Sequence, residues 1–138
     1  MIQGSRLYVV ASFRGPLPMG FNVATGSSFD VVQSTSGRTI LAFSPEQAVA
    51  PFLAGQSEAD QATLRNALQE VRTRGHSIEN SRTVSGLVNI SVPILDRQGE
   101  ALAGVTIPYL KQQDVRLDAE GCMLQLKECA ERIRMRLG

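Results

Sequence analysis

Small and polar residues recur at alternate positions in two neighbouring runs of the chain, and their side chains could line a ligand site. They are Asn89, Ser91, Gly104 and Thr106. The two runs, Leu87–Leu95 and Glu100–Tyr109, alternate in the way that indicates half-buried strands. Amide and hydroxyl groups on a face with little side-chain bulk can bind a small polar molecule. The alternative is that this face lies in water, as one face of an antiparallel sheet often does.

The spacing of the two runs predicts a β-hairpin and its register. A four-residue loop at Asp96–Gly99 places Leu95 opposite Glu100. Counting back along the ladder gives two further opposed pairs, Asn89 with Thr106 and Ser91 with Gly104. Opposed residues share a face, so all four lie together. The other face is apolar and is expected to pack against helices through Val88, Ile90, Val92, Val105 and Ile107.

A stretch rich in serine and glycine, Gly26–Gly37, leads into a predicted short helix at Arg38–Phe43. The backbone N–H groups at the start of a helix have no intrahelical partner and suit a carboxylate. Leu87 and Pro93 on the polar hairpin face indicate that this face is covered rather than fully solvated. We therefore expect the stretch to roof a small cavity, which Asp30 could also face.

Residues able to catalyse reactions are few and dispersed. His76 is the only histidine, and no serine or cysteine nucleophile motif accompanies it. Cys122 and Cys129 lie about two helical turns apart, roughly 10 Å, which is too far for a disulfide. Without a nearby histidine they do not match a zinc site either, and we interpret both as buried apolar side chains. The sequence therefore predicts no enzyme, no metal ion and no cofactor.

Charge and hydropathy argue against nucleic acid and membrane as direct partners. The 14 basic and 13 acidic side chains give a net charge of +1, without the basic face that DNA binding requires. No apolar run approaches the roughly 18 residues of a membrane span. The first residues, Met1–Arg6, lack the features of a signal peptide. We expect a cytoplasmic location.

The remaining predicted elements frame the hairpin. Strands are predicted over Leu7–Phe13 and Phe21–Ala24, and helices over Ser44–Ala54, Ser57–Gly75 and Leu117–Leu137. The first of these helices should be capped by the Ser44 hydroxyl with Pro45 as its first residue, and the second should end at a left-handed Gly75. The apolar face of the last helix is expected to contain Cys122, Leu126, Cys129, Ile133 and Leu137. This order predicts one α+β domain over residues 1–138, with an antiparallel sheet and a C-terminal helix packed on it.

Three segments, in this order and spacing, resemble the C-terminal effector-binding domain of IclR-type transcription regulators. They are Ser34–Glu46, Leu68–His76 and Gly86–Gly99. The resemblance covers the chain from about Leu7 to its end. It implies a GAF-like fold, in which helices flank an antiparallel sheet and a cavity above the sheet binds a small organic or aromatic acid.

The same resemblance implies which residues bind the acid. Thr35 and Ser36 would hold its carboxylate at the start of the helix, and Glu79, Asn89 and Thr106 would complete the polar lining. Gly37 in the serine-rich stretch and Ser91 on the hairpin complete the candidate ligand-binding set. The sequence departs from the family pattern at Val32-Gln33, at Arg82, where an acidic residue is common, and at Pro108. Arg82 is either a partner for an anionic ligand or an ordinary exposed loop arginine.

Members of the family form dimers and tetramers, and they bind DNA through an N-terminal winged helix-turn-helix. That domain has no counterpart in this sequence, which we interpret as a fragment whose DNA contact belongs to the missing domain. Two alternatives stay open. One is a GAF-like dimerisation module without a ligand, and the other is an enzyme with an unrecognised mechanism.

Overall fold

The computed structural model describes residues 1–15, 22–110 and 118–137. Within them lie two three-stranded antiparallel sheets and four helices. The first sheet contains β1 (Ile2–Gln3), β2 (Arg6–Tyr8) and β3 (Ser28–Asp30), and the second contains β4 (Ser77–Asn80), β5 (Leu87–Leu95) and β6 (Ala101–Leu110). The helices are α1 (Thr35–Ala42), α2 (Glu46–Leu53), α3 (Glu58–Arg74) and α4 (Ala119–Leu137).

The second sheet is covered by a helix on each face. Helix α4 packs on one face, against the buried side chains of Ile90, Val92 and Ile94. Helix α1 lies on the other face, where its Ile40 comes close to Gly104, and it also contacts α3. Seven of the eight residues of α1 are buried, so this short helix is the centre of the molecule. The α+β class and the packing of the C-terminal helix on the sheet are as the sequence predicts.

The β5–β6 hairpin has the predicted faces but not the predicted register. Ser91 lies opposite Thr106, and Asn89 lies opposite Pro108. The prediction was wrong by two residues because the turn is longer than four residues, with Leu95 opposite Ala101, and because a bulge follows at Ile94/Leu95. A shift by an even number keeps every side chain on its own face. The small polar residues therefore still share one face, and the apolar residues still pack against α4.

The first sheet differs more from the sequence prediction. The strand predicted over Leu7–Phe13 is confined to β2, and residues 22–24 of the second predicted strand are not in a ladder, while Phe21 lies outside the described residues. β2 pairs with β1 on one side and with β3 on the other, where Phe29 lies opposite Leu7. β3 falls in the stretch predicted as a loop, because its neighbours are serine and glycine and only pairing with β2 defines it as a strand.

The two predicted helix starts have different outcomes. Ser57 caps α3, since its Oγ accepts a hydrogen bond from the amide of Asp60 at 3.1 Å, and α3 ends at Gly75 with φ +80°. Ser44 does not cap α2. Its hydroxyl instead donates to the carbonyl oxygen of Ile40 at 2.8 Å and closes the end of α1. Pro45 is the N-cap residue of α2, which therefore has no side-chain cap hydrogen bond.

The apolar face of α4 is rotated slightly from the predicted one. Its buried residues are Met123, Leu126 and Ala130, with Cys122 and Ile133 partly buried beside them, whereas Leu137 is 65% exposed. The predicted start at Leu117 lies outside the described residues. No helix in the described ranges is long and apolar enough to cross a membrane.

Candidate ligand-binding cavity

A cavity of about 660 Å³ lies over the polar face of the hairpin, between the two sheets. Its apolar wall comes from both sheets and from α1, through Leu7, Phe29, Ile40, Val84, Leu87 and Pro108. Its polar groups come from the start of α1, from the hairpin and from the loops around them. Four residues of the candidate set line it, namely Thr35, Ser36, Asn89 and Thr106.

A chain of hydroxyl groups joins α1 to the hairpin at the floor of the cavity. The Oγ of Ser36 and the Oγ1 of Thr106 share a hydrogen bond of 2.6 Å, and Thr106 shares another of 2.9 Å with the Oγ of Ser91. Ser91 is fully buried and does not line the cavity. It therefore lies where it can orient Thr106 but not where it can touch a ligand.

Asn89 presents a polar side chain to the cavity next to this floor. In the described part of the chain, the side-chain amide of Asn89 forms no hydrogen bond. An amide offers both a donor and an acceptor, so Asn89 can bind either kind of ligand group. Sequence alternation located Asn89 and Thr106 on the right face, although they are not directly opposed.

Glu79 lies behind α1 rather than in the cavity wall. Its carboxylate accepts hydrogen bonds from the guanidinium of Arg38 and from the Thr35 hydroxyl, the latter at 3.3 Å. Arg38 is 4% exposed and also donates to the carbonyl oxygen of Val32 at 2.7 Å. Glu79 thus ties α1 to β4 and orients Thr35. Glu79 was predicted to line the cavity, but it is not among the lining residues.

Gly37 is packed too tightly to face a ligand. A Cβ atom at this position would lie 2.0 Å from the carbonyl oxygen of Val31, and the Gly37 amide already donates to the Oγ of Ser34 at 3.1 Å. The amides of Thr35 and Ser36 precede it in the first turn, where no intrahelical acceptor exists. The part of α1 that can bind an acid is therefore its first two residues.

The exposed rim of the cavity includes a hydrogen-bonded group of residues outside the candidate set, formed by Asp30, Gln33 and Arg82. Nη1 of Arg82 donates to the side-chain Oε1 of Gln33 at 2.6 Å. The carboxylate of Asp30 accepts a hydrogen bond from the backbone N–H of Gln33 at 2.9 Å. For Gln33 and Arg82, the only signal in the sequence was that they depart from the family pattern. In the described part of the chain, no group of three His, Cys, Asp or Glu side chains could hold a metal ion.

Comparison with known proteins shows the family of the domain that contains this cavity. Residues 1–135 match the family model described as bacterial transcriptional regulator IclR C-terminal. The chain belongs to the IclR family of transcription regulators. Over 62 residues, 44% of the chain, it is 39% identical to the HTH-type transcriptional regulator BhcR of Paracoccus denitrificans, of which the match covers 22%.

Solved structures of IclR regulators have the same fold. The IclR protein of Thermotoga maritima superimposes with a TM-score of 0.80 over 99% of the chain and 59% of that protein, at 26% identity. An IclR homolog from Microbacterium hydrocarbonoxydans, complexed with 4-hydroxybenzoate, superimposes with a TM-score of 0.67 over 85% of the chain and 50% of that protein, at 20% identity. The IclR domain described here thus spans about half to three fifths of the length of these regulators.

Proposed function

We propose that the cavity of this IclR domain binds a small organic or aromatic acid and that the bound acid modulates DNA binding by a separate N-terminal domain. The observation that carries the proposal is the position of the cavity, at the first turn of α1 and over the polar face of the hairpin. An IclR homolog of the same fold is complexed with an acid, 4-hydroxybenzoate, which supports the same ligand class.

The cavity has the size and lining that such a ligand needs. Its volume of about 660 Å³ lies within the range of small-molecule sites, roughly 300–1,000 Å³. The carboxylate of the acid would bind the amides and hydroxyls of Thr35 and Ser36, and the apolar wall would contact its carbon skeleton. Asn89 and Thr106 would bind polar substituents, while Glu79, Gly37 and Ser91 would hold those groups in place.

Helix α1 is the element that would transmit the binding event. It forms one wall of the cavity and packs against both α3 and the second sheet. If α1 can occupy two placements against its neighbours, a ligand that binds the domain more tightly in one placement shifts the equilibrium toward that placement. In a dimer or tetramer of the regulator, that shift would change the spacing of the DNA-binding domains. The proposed role of the cavity is recognition without catalysis.

Replacing Asn89 by leucine should abolish binding of the acid, because the change removes the side-chain amide and puts a bulkier apolar side chain beside the floor of the cavity. Thermal unfolding of the wild-type domain should be measured with 4-hydroxybenzoate, pyruvate and succinate. An acid present at a hundred times its dissociation constant stabilises the domain by about 2.7 kcal/mol. Asn89→Leu should lose this shift and keep its own unfolding cooperative.

The matched control is Asn66→Leu, at an exposed position of α3 outside the cavity. This variant should retain the full stabilisation by the acid. A wild-type domain that no carboxylic acid stabilises would contradict the proposed function, and so would an Asn89→Leu variant with an undiminished shift.

One observation favours a dimerisation module without a ligand as the second candidate. Among the described strands β6 has only β5 beside it, so its ten residues, Ala101–Leu110, form an edge of the second sheet. None of those residues is charged, although charges commonly protect an edge from pairing with another chain. This candidate would be favoured if the domain sedimented as a dimer in analytical ultracentrifugation and no acid changed its stability.

A further inference from the structure

Arg82 occupies an unusual electrostatic position at the rim of the cavity. It lies in the loop between β4 and β5, is exposed to solvent and lines the cavity. Among the described lining residues it is the only one with a positively charged side chain, and Asp30 is the only one with a carboxylate. The charge of Arg82 is therefore the main attraction that the side chains offer to an anion.

Within the described ranges, the positive charge of Arg82 has no acidic partner. In the described ranges, no carboxylate lies within 4 Å of it, and its Nη1 donates to a neutral acceptor, the amide oxygen of Gln33. Arg38, the buried arginine on the other side of α1, is neutralised by Glu79 instead. A guanidinium has five N–H donors in a planar fork. The contact with Gln33 leaves donors of Arg82 for a second acceptor.

The hydrogen bond to Gln33 also fixes where the guanidinium lies. Gln33 is in the turn that leads into α1, two positions before Thr35. The fork of Arg82 is therefore held on the side of the cavity where α1 begins. The unpaired amides of that first turn and the partial positive charge of the helix N-terminus attract negative charge to the same place.

We propose that Arg82 selects an anionic effector by pairing with its carboxylate beside the first turn of α1, an inference that rests on the proposed effector-binding function. The carboxylate accepts hydrogen bonds from the Arg82 fork on one side and from the α1 amides on the other. Arg–carboxylate pairs of this type are frequently bidentate and stronger than neutral hydrogen bonds. The chemical class that the site prefers is a carboxylic acid over its neutral amide.

Asp30 acts against this preference and limits its size. Its carboxylate lies at the same rim and accepts a hydrogen bond from the backbone N–H of Gln33 in the turn before α1. A like charge near the bound anion weakens binding. The affinity for the acid therefore depends on the balance between Arg82 and Asp30.

The test compares matched acid and amide pairs by isothermal titration calorimetry at fixed ionic strength. The probes are 4-hydroxybenzoate with 4-hydroxybenzamide, pyruvate with pyruvamide, and succinate with succinamide. In the wild-type domain the acid of a binding pair should bind more tightly than its amide. Arg82→Gln should weaken binding of the acid roughly two- to fivefold, the loss expected for an ion pair at an exposed rim, and should leave binding of the amide unchanged.

Two further variants make the result specific to the charge at the cavity rim. Arg97→Gln removes an exposed arginine of the hairpin turn, outside this cavity, and should bind both probes as the wild type does. Asp30→Asn keeps an oxygen for the Gln33 amide but removes the negative charge. It should strengthen binding of the acid several-fold, with no change for the amide.

The possible failures are distinguishable. If Arg82→Gln binds the acid as tightly as the wild type, or loses acid and amide equally, Arg82 does not select the anion, and the proposed effector function still stands. Weaker acid binding by Asp30→Asn would also overturn the charge balance proposed for the rim. If no acid binds the wild-type domain, the proposed function itself fails and this inference fails with it.

Discussion

At the scale of single residues, Arg38 and Glu79 shape the cavity without touching a ligand. Arg38 is nearly inaccessible to solvent, and Glu79 neutralises it while accepting the Thr35 hydroxyl. A buried arginine without an acidic partner is costly, because its charge loses hydration and gains nothing in return. Glu79 therefore fixes both the charge balance behind α1 and the orientation of Thr35.

Replacing Glu79 by glutamine should destabilise the domain by roughly 1–3 kcal/mol, the cost of losing a hydrogen bond to a charged group. The lower part of that range is expected, because the Glu79 side chain is 35% exposed and water can replace part of the interaction. Urea denaturation should measure the change in the free energy of unfolding.

The control for this variant is Glu46→Gln. Glu46 pairs with Arg65 on the surface, through two hydrogen bonds of 2.7 and 3.1 Å, and both side chains are exposed. Its replacement should leave the free energy of unfolding nearly unchanged. Equal effects of the two substitutions would show that the burial of Arg38 has no energetic consequence.

Asn89 and Thr106 lie on the hairpin face that sequence alternation predicts, because the face on which a side chain lies follows from the local alternation of the strand. The pairing of Arg38 with Glu79 could not be found in this way. The two residues are 41 positions apart, and only the packing of α1 on β4 brings them together. Of the candidate residues that the structure sets behind the cavity, Glu79 and Ser91 are placed by contacts between elements, whereas Gly37 is placed by the local turn from Val31.

At the scale of elements, the start of α1 depends on a glycine. The chain turns so sharply between Val31 and Gly37 that the backbone of the two residues is in close contact. Any side chain at position 37 would push the turn away from the helix. Since Thr35 and Ser36 lie within this turn, its geometry decides where the two candidate carboxylate-binding residues point.

Gly37→Ala should destabilise the domain by an amount near the upper end of the roughly 1–3 kcal/mol typical of overpacking, because backbone atoms cannot rotate out of the way. It should also weaken binding of an acid that the wild-type domain binds. Thermal unfolding and calorimetry would measure the two effects. Gly15→Ala is the control, since an added Cβ there meets no atom within 4 Å, and a Gly37→Ala variant as stable as this control would contradict the expected clash.

The elements also show which features a sequence can specify. The hairpin and α3 carry strong periodic patterns and end signals, and both appear at the predicted places. The register of the hairpin depended on one bulge and one extra turn residue, for which the sequence has no marker. β1 and β3 have two and three residues, which is too short for a periodic signal.

At the scale of the whole molecule, His76 lies where α3, β4 and α4 meet. Its Nδ1 is 3.1 Å from the carbonyl oxygen of Arg74. Burial lowers the pKa of His76 below its usual value of about 6.5, and the positive charge of Lys127 on α4 lowers it further, while Glu120 acts in the opposite direction. The folded domain therefore favours the neutral imidazole more than the unfolded chain does.

This shift predicts a loss of stability in mild acid. Below about pH 6.5, His76 binds a proton more readily in the unfolded chain than in the folded domain. The free energy of unfolding therefore decreases as the pH is lowered, until the pH is below the pKa of His76 in the folded domain. His76→Gln should show a shallower decline over this window in urea denaturation at a series of pH values. An unchanged slope in the variant would assign the decline to other groups.

The hydrogen-bond ladders of the two sheets are separate among the described strands, and the cavity lies along the seam between them. Widening or narrowing that seam breaks no ladder bond. We therefore expect a molecule larger than the resting opening to be accommodated by movement between the two sheets. The rigid parts of the fold would keep their internal geometry throughout that movement.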